Sequence, residues 1–128
     1  MDLIDLPAEA ATVLRFWFQE CQPAQWWKVD AGLDAEIARR FGALHGRASA
    51  GELWAWRATP AGRLAEILVL DQFSRNLQRG RPGAFAQDAM ALVLAQEALL
   101  AGAADALVGE PRGKQGKKAK KTQKLAEI

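Results

Sequence analysis

The chain has 128 residues, half of them hydrophobic and a quarter charged, with a formal net charge of +2. That length holds one domain. A single cysteine, Cys21, excludes an intrachain disulfide and with it the disulfide-stapled secreted scaffolds. No stretch has the layout of a signal peptide or the length of a membrane span, so a cytoplasmic location is the expectation. The small net charge hides two unlike parts. Residues 1–108 carry 10 Lys and Arg against 13 Asp and Glu, a net of −3, whereas residues 109–128 carry 7 against 2, a net of +5. The expected organisation is a helical domain over 1–108 and a Lys/Gly-rich tail over 109–128.

Ala and Leu are abundant and β-branched runs are scarce, which favours helices. The first helix spans about residues 8–21, with Ala10, Val13, Leu14, Trp17 and Cys21 on one stripe. Asp5 or Asp2 is its candidate cap, Pro7 suits its first turn and Pro23 ends it. Trp26 and Trp27 fall in the connection, and adjacent residues cannot both point inward from one face. One of them belongs at the surface, where a partner helix could dock. The second helix spans about residues 33–45, with Leu33, Ile37, Phe41 and Leu44 inward, Asp30 or Asp34 as cap and Gly46 as stop.

Residues 51–56 read as a short turn. Thr59-Pro60 then sets an N-cap followed by proline at the first helical position. The third helix runs to about residue 79, and its middle, Ile67-Leu68-Val69-Leu70, is apolar all round, as in a centrally buried helix. Gly80-Arg81-Pro82-Gly83 breaks the chain, and a fourth helix begins at Ala84 or Asp88 and ends before Gly102. Residues 109–124 contain no large apolar residue and are expected to be disordered. Four helices with short links give an all-α fold of two antiparallel pairs.

The third helix ends in a dense polar cluster: Asp71, Gln72, Arg75, Asn76 and Arg79. Asp71 follows Leu68, Ile67 and Leu64 by three, four and seven residues, so a carboxylate lies on the stripe that faces the core. Gln72, Arg75, Asn76 and Arg79 share one face if the helix persists. One reading is structural: Asp71 accepts from Arg75, Arg63 or Arg57 and locks helix packing. The other is a small anion pocket, with Arg75, Arg79 and Arg81 binding phosphate or carboxylate and Asn76 and Gln72 orienting it. A catalytic role for Asp71 lacks a visible second acid, and neighbouring arginines are expected to lower its pKa.

A longer series of residues carries a family resemblance. It comprises Phe16-Trp17-Phe18, Trp26-Trp27, Asp34, Ile37 and Phe41. It continues through Gly51-x-Leu53-x-x-Trp56, Thr59-Pro60-x-Gly62-Arg63-Leu64-Ala65, Leu70-Asp71-Gln72-Phe73-Ser74-Arg75-Asn76, Arg79-Gly80, Ala84-Phe85-Ala86 and Asp88. In this order they resemble the bacterial domain of unknown function 924 family over about residues 8–107. The resemblance implies an all-helical fold similar to tetratricopeptide-type arrays, and no activity, substrate or cofactor. It also implies a second helical segment beyond Val108, with aromatic residues, a proline and a His-Ser-Glu-like motif. The Lys-rich tail stands there instead, as a natural truncation, a frame-shifted end or a shortened form. Absent partner helices would leave apolar surface exposed and favour a homodimer.

The remaining chemistry is sparse. His45 is the only histidine and is expected near a helix end, where a cation suits the dipole. Cys21 reads as a buried, inert thiol. One His and one Cys make no structural zinc site, no carboxylate cluster has calcium-loop spacing, and no cofactor or metal is expected. Gly109 to Gln115 fails as a phosphate loop, with three residues between its glycines instead of four and no Ser or Thr for magnesium. The tail supports only weak, sequence-blind and salt-sensitive contact with nucleic acid. The leading expectation is a non-catalytic binding module using Asp71, Gln72, Arg75, Asn76 and Arg79 for an anion. The rivals are a small enzyme on an anionic metabolite using Asp71, and nucleic-acid association through the tail.

Overall fold

The computed structural model describes residues 6–103, and every regular element among them is helical. The tail over 109–128, its nucleic-acid reading and the cap candidates Asp2 and Asp5 lie outside the described residues. Helix α1 (Ala8–Arg15) runs on into a π turn, Phe16–Glu20, and its stripe of Ala10, Val13, Leu14, Trp17 and Cys21 is buried. Pro23 opens a 3-10 turn, Pro23–Trp26, in which the Gln22 amide donates to Gln25 Oε1 at 2.7 Å.

Helix α2 (Ala31–Ser49) is capped by Asp30, whose Oδ1 accepts from the Leu33 amide at 2.9 Å. It outruns the expected stop at Gly46. Ala48 is fully buried beyond that glycine, and Arg47 forks onto Glu9 at 2.9 and 3.2 Å, so tertiary contacts hold one more turn.

After a 3-10 turn, Trp54–Ala58, a continuous rod begins. It comprises α3 (Pro60–Leu68), a π segment (Val69–Phe73) and α4 (Ser74–Leu77). Thr59 Oγ1 accepts from the Gly62 amide at 3.1 Å, which is the predicted cap. Gly62 is required here for space: a Cβ on it would lie 2.0 Å from the Trp56 carbonyl oxygen. The rod is buried without a break from Leu64 through Ser74. It ends at Leu77, two residues before Arg79, and Gly80 turns the chain at φ 77°. A 3-10 turn, Pro82–Phe85, takes up Ala84, and α5 (Asp88–Leu100) completes the set before Gly102 at φ 76°.

Ion pairs fix the directions of packing. Glu9–Arg47 joins the start of α1 to the end of α2, and Glu20–Arg40 joins the π turn that follows α1 to the middle of α2. Arg63–Glu97 and Arg75–Asp88 join opposite ends of the rod and α5. Both pairs are therefore antiparallel, and they meet where α1 packs on α3 and α2 on α4. The Phe16, Phe41 and Phe73 rings fill that junction at centroid spacings of 5.1 to 6.2 Å, with the Arg40 guanidinium laid over Phe16 and Phe41.

Candidate functional site

The polar cluster forms where the rod changes geometry. The π segment inserts one residue per turn relative to an α-helix, and the rod stops before Arg79. The single face expected for Gln72, Arg75, Asn76 and Arg79 is divided in two, because Arg75 and Asn76 are consecutive in α4, about 100° apart around the helix, and Arg79 lies beyond its end. One half, with Asp71, Gln72 and Arg75, looks toward α5. The other, with Asn76 and Arg79, looks toward α2.

In the first half Asp71 is fully buried. Its Oδ1 accepts a close contact from Arg75 Nη1, and its Oδ2 accepts from Gln72 Nε2 at 2.8 Å. Arg75 is shared with a second acid: Nη2 donates to Asp88 Oδ2 at 3.3 Å, and Nη1 lies 3.3 Å from Oδ1. That second contact is an ion pair and not a hydrogen bond, so the buried Oδ1 of Asp88 has no hydrogen-bond partner among the described residues. The exposed Phe85 ring packs under the Arg75 guanidinium at 5.4 Å. Two expectations change here. A second acid is present, and burial drives the Asp71 pKa upward, with the neighbouring Asp88 adding to the rise. Together they outweigh the lowering from Arg75 and Gln72. Arg63 and Arg57, the other candidate partners of Asp71, bind Glu97 and Glu66 instead.

In the second half Arg79 donates from Nε and Nη2 to Asp34 at 2.7 and 3.0 Å, and Asn76 Nδ2 donates to Asp34 Oδ1 at 2.8 Å. These bonds, that of Arg79 first, hold the Asp34 carboxyl below its ordinary range. Asp34, considered as a cap of α2, is thus the acceptor of this half, while Asp30 does the capping. Arg81, two residues after Arg79, is exposed.

Sequence reasoning missed two buried polar features of the rod. Glu66 is fully buried and receives Arg57 Nε and Nη2 at 2.8 and 2.9 Å. Its position four before Leu70 and seven before Phe73, on an inward stripe, was the available signal. His45 Nε2 meets the Ser74 hydroxyl at 2.7 Å, and that hydroxyl donates to the Leu70 carbonyl at 2.6 Å. The Ser74 proton is therefore committed to the carbonyl and His45 Nε2 is the donor, so the pair is not an activated nucleophile. His45 is not the dipole-matched cation expected of a helix end. The helix continues past it, and burial lowers its pKa. Burial also raises the Cys21 thiol to about 11, which keeps it protonated. Trp26 stacks on Trp17 at 6.0 Å and donates from Nε1 to the Trp17 carbonyl at 3.1 Å, while Trp27 is 69% exposed.

Among the described residues no cluster could hold a metal ion, and no helix is long and apolar enough to cross a membrane. No curated protein matches the chain significantly. The chain is similar to a solved structure described as a protein of unknown function from Agrobacterium tumefaciens. The match has 26% identity and a TM-score of 0.74, over 94% of this chain and 82% of that one. Residues 13–114 match the model of a family described as bacterial protein of unknown function, DUF924. With the greater part of its length matched, the chain belongs to that family.

Proposed function

We propose that the chain is a non-catalytic binding module of the cytoplasm, its helix pairs used in the manner of tetratricopeptide-type arrays. Its polar cluster at the end of α4 takes an anionic group of a partner. One observation carries this reading: Arg79 and Asn76 hold a carboxylate, that of Asp34, in a three-bond fork at the surface. A partner carboxylate or phosphate competes with Asp34 for that fork and gains from the exposed Arg81. Arg75, with a third of its side chain exposed, supplies further charge. Asp71 and Gln72 are buried and contribute by fixing Arg75. Trp27, exposed in the loop after the first pair's turn, offers an aromatic contact to a protein partner, with Trp26 holding its base. The enzymatic alternative, with Asp71 as acid or base, draws support from its raised pKa and from Asp88 across Arg75. Its burial beneath Arg75 opposes that alternative.

The test is a titration with inorganic phosphate and with a short acidic peptide, followed through the Arg Nε–H and Asn side-chain NMR signals. The expected result is saturable shifts at Arg79 and Asn76, tighter binding in Asp34→Ala and at least tenfold weaker binding in Arg79→Ala. Arg75→Ala should also lose binding. Signals that stay still in the wild type and in Asp34→Ala, with the arginine variants altering stability alone, would make the cluster a packing device.

A further inference from the structure

Asp71 and Asp88 present two carboxylates to one guanidinium nitrogen, and that nitrogen serves only one of them. Arg75 Nη1 carries two hydrogens. It donates to Asp71 Oδ1 and, at 3.1 Å, to the Asp71 carbonyl oxygen. Neither hydrogen remains for Asp88 Oδ1, which lies 3.3 Å from the same nitrogen. This oxygen is buried without a hydrogen-bond partner among the described residues, although the Asp88 side chain as a whole is 38% exposed. A desolvated carboxylate oxygen with no donor is costly. The charges are also out of balance, two negative against one positive, and Asp71 is fully enclosed. One added proton removes both faults. Lying between the two Oδ1 atoms, it cancels the excess charge and supplies the absent hydrogen bond. Carboxylates that share one site take up protons as a unit.

We propose that Asp71 and Asp88 hold one proton between them, and that its uptake is coupled to the binding of an anion at Arg75 and Arg79. The coupling rests on the anion-binding reading of the polar cluster; the shared proton does not. An anion brought against Arg75 adds negative charge beside the two carboxylates, which favours the proton there. By reciprocity the proton strengthens anion binding by the same factor. Burial raises the Asp71 pKa and Asp88 raises it further, so the coupling lies above the ordinary carboxylate value of 3.8. Anion affinity therefore rises as pH falls through that range.

The other charged groups of the surrounding elements are engaged elsewhere. On α3, Arg63 holds Glu97 of α5, and Glu66 is held by Arg57. Asp34 of α2 is held by Arg79, which keeps its titration below 3.8 and out of the range. Arg81 stands exposed before the Pro82–Phe85 turn. His45 of α2 meets Ser74, and burial lowers its pKa from 6.5 toward the range, so it needs its own control.

The experiment uses the full chain and sulfate, an anion that keeps its double charge from pH 4 to 7. The Asp71 and Asp88 carboxyl carbon NMR signals are followed against pH, and sulfate affinity is read from the Arg75 and Arg79 Nε–H signals. The two carboxyl signals should move together in one step, and Asp88→Asn should shift the Asp71 step to lower pH. Sulfate affinity should rise by up to about tenfold per pH unit as pH falls. Asp71→Asn and Asp88→Asn, with helical circular dichroism retained, should lose most of that slope and bind sulfate severalfold more tightly than the wild type at neutrality. His45→Gln should keep the wild-type slope. An Asp71 step that is the same in the wild type and in Asp88→Asn overturns the shared proton. Sulfate bound equally well at every pH leaves the anion site standing and overturns the coupling. Sulfate that moves neither arginine at any pH overturns the anion site and the coupling with it.

Discussion

The central rod carries a fully buried acid in each half, and the two are handled differently. In the first half Glu66 and Arg57 form a closed pair: one carboxylate, one guanidinium, two parallel bonds at 2.8 and 2.9 Å. In the second half Asp71 shares Arg75 with Asp88, and one Asp88 oxygen is left without a hydrogen-bond partner among the described residues. The first arrangement balances its charges and uses the arginine fork fully. The second has two acids for one arginine, and Asp71, raised in pKa first by its burial, is raised further by Asp88. A buried charge therefore marks packing when its partner is exclusive, and marks a candidate site when its partner is shared and partly exposed.

Arg57→Ala should be the most damaging change, because it leaves Glu66 buried without its cation. A loss of about 3–5 kcal/mol is expected in chemical denaturation. Adding Glu66→Leu should recover much of it, since the cost lies in the stranded carboxylate. If the double variant is no better than Arg57→Ala, the pair is not the closed unit described here.

Asp71→Asn should cost less, about 1–2 kcal/mol, because Arg75 keeps Asp88. Its pH dependence sharpens the contrast. Asp71 binds its proton more tightly folded than unfolded, so its contribution to stability is greatest below the ordinary carboxylate value of 3.8. That contribution falls as pH rises toward the elevated folded value. The penalty of Asp71→Asn should accordingly be larger at acid pH than at neutrality. A penalty that grows with pH would mean that Arg75 outweighs burial at Asp71.

Much of this is legible from residue types and spacing. The Thr59-Pro60 start, the stripe of α1, the burial of Asp71 and its i,i+4 partner Arg75 all follow from a 3.6-residue period and capping chemistry. What is not legible depends on departures from that period or on distant elements. The rod ends at Leu77, so Arg79 leaves the face that a longer helix would give it. No local signal tells that Asp34, 45 residues before Arg79, fills its fork. The sign of the Asp71 shift runs against the expectation because burial outweighs the neighbouring arginine and the second acid, Asp88, comes from another helix. Gly46 fails as a stop because Ala48 finds a buried seat beyond it, a tertiary effect that outweighs the local cost of glycine.

The smallest effect belongs to a third buried group of the rod's second half, the His45–Ser74 contact between α2 and α4. His45 serves as a neutral donor to Ser74 Oγ, and burial alone lowers its pKa from the ordinary 6.5, with no carboxylate to compensate a charge. The unfolded chain therefore takes up the proton before the folded one does. Stability supplied by this group is complete above 6.5 and declines as pH falls through that value toward the lower folded one. In His45→Gln, which retains a donor but does not titrate, the stability at pH 8 should fall by no more than one hydrogen bond's worth, about 1 kcal/mol. Between pH 7 and 5 the wild type should lose stability relative to that variant. If the two curves stay parallel across this interval, His45 is as well matched folded as unfolded, and the imbalance of the rod's second half is confined to Asp71, Arg75 and Asp88.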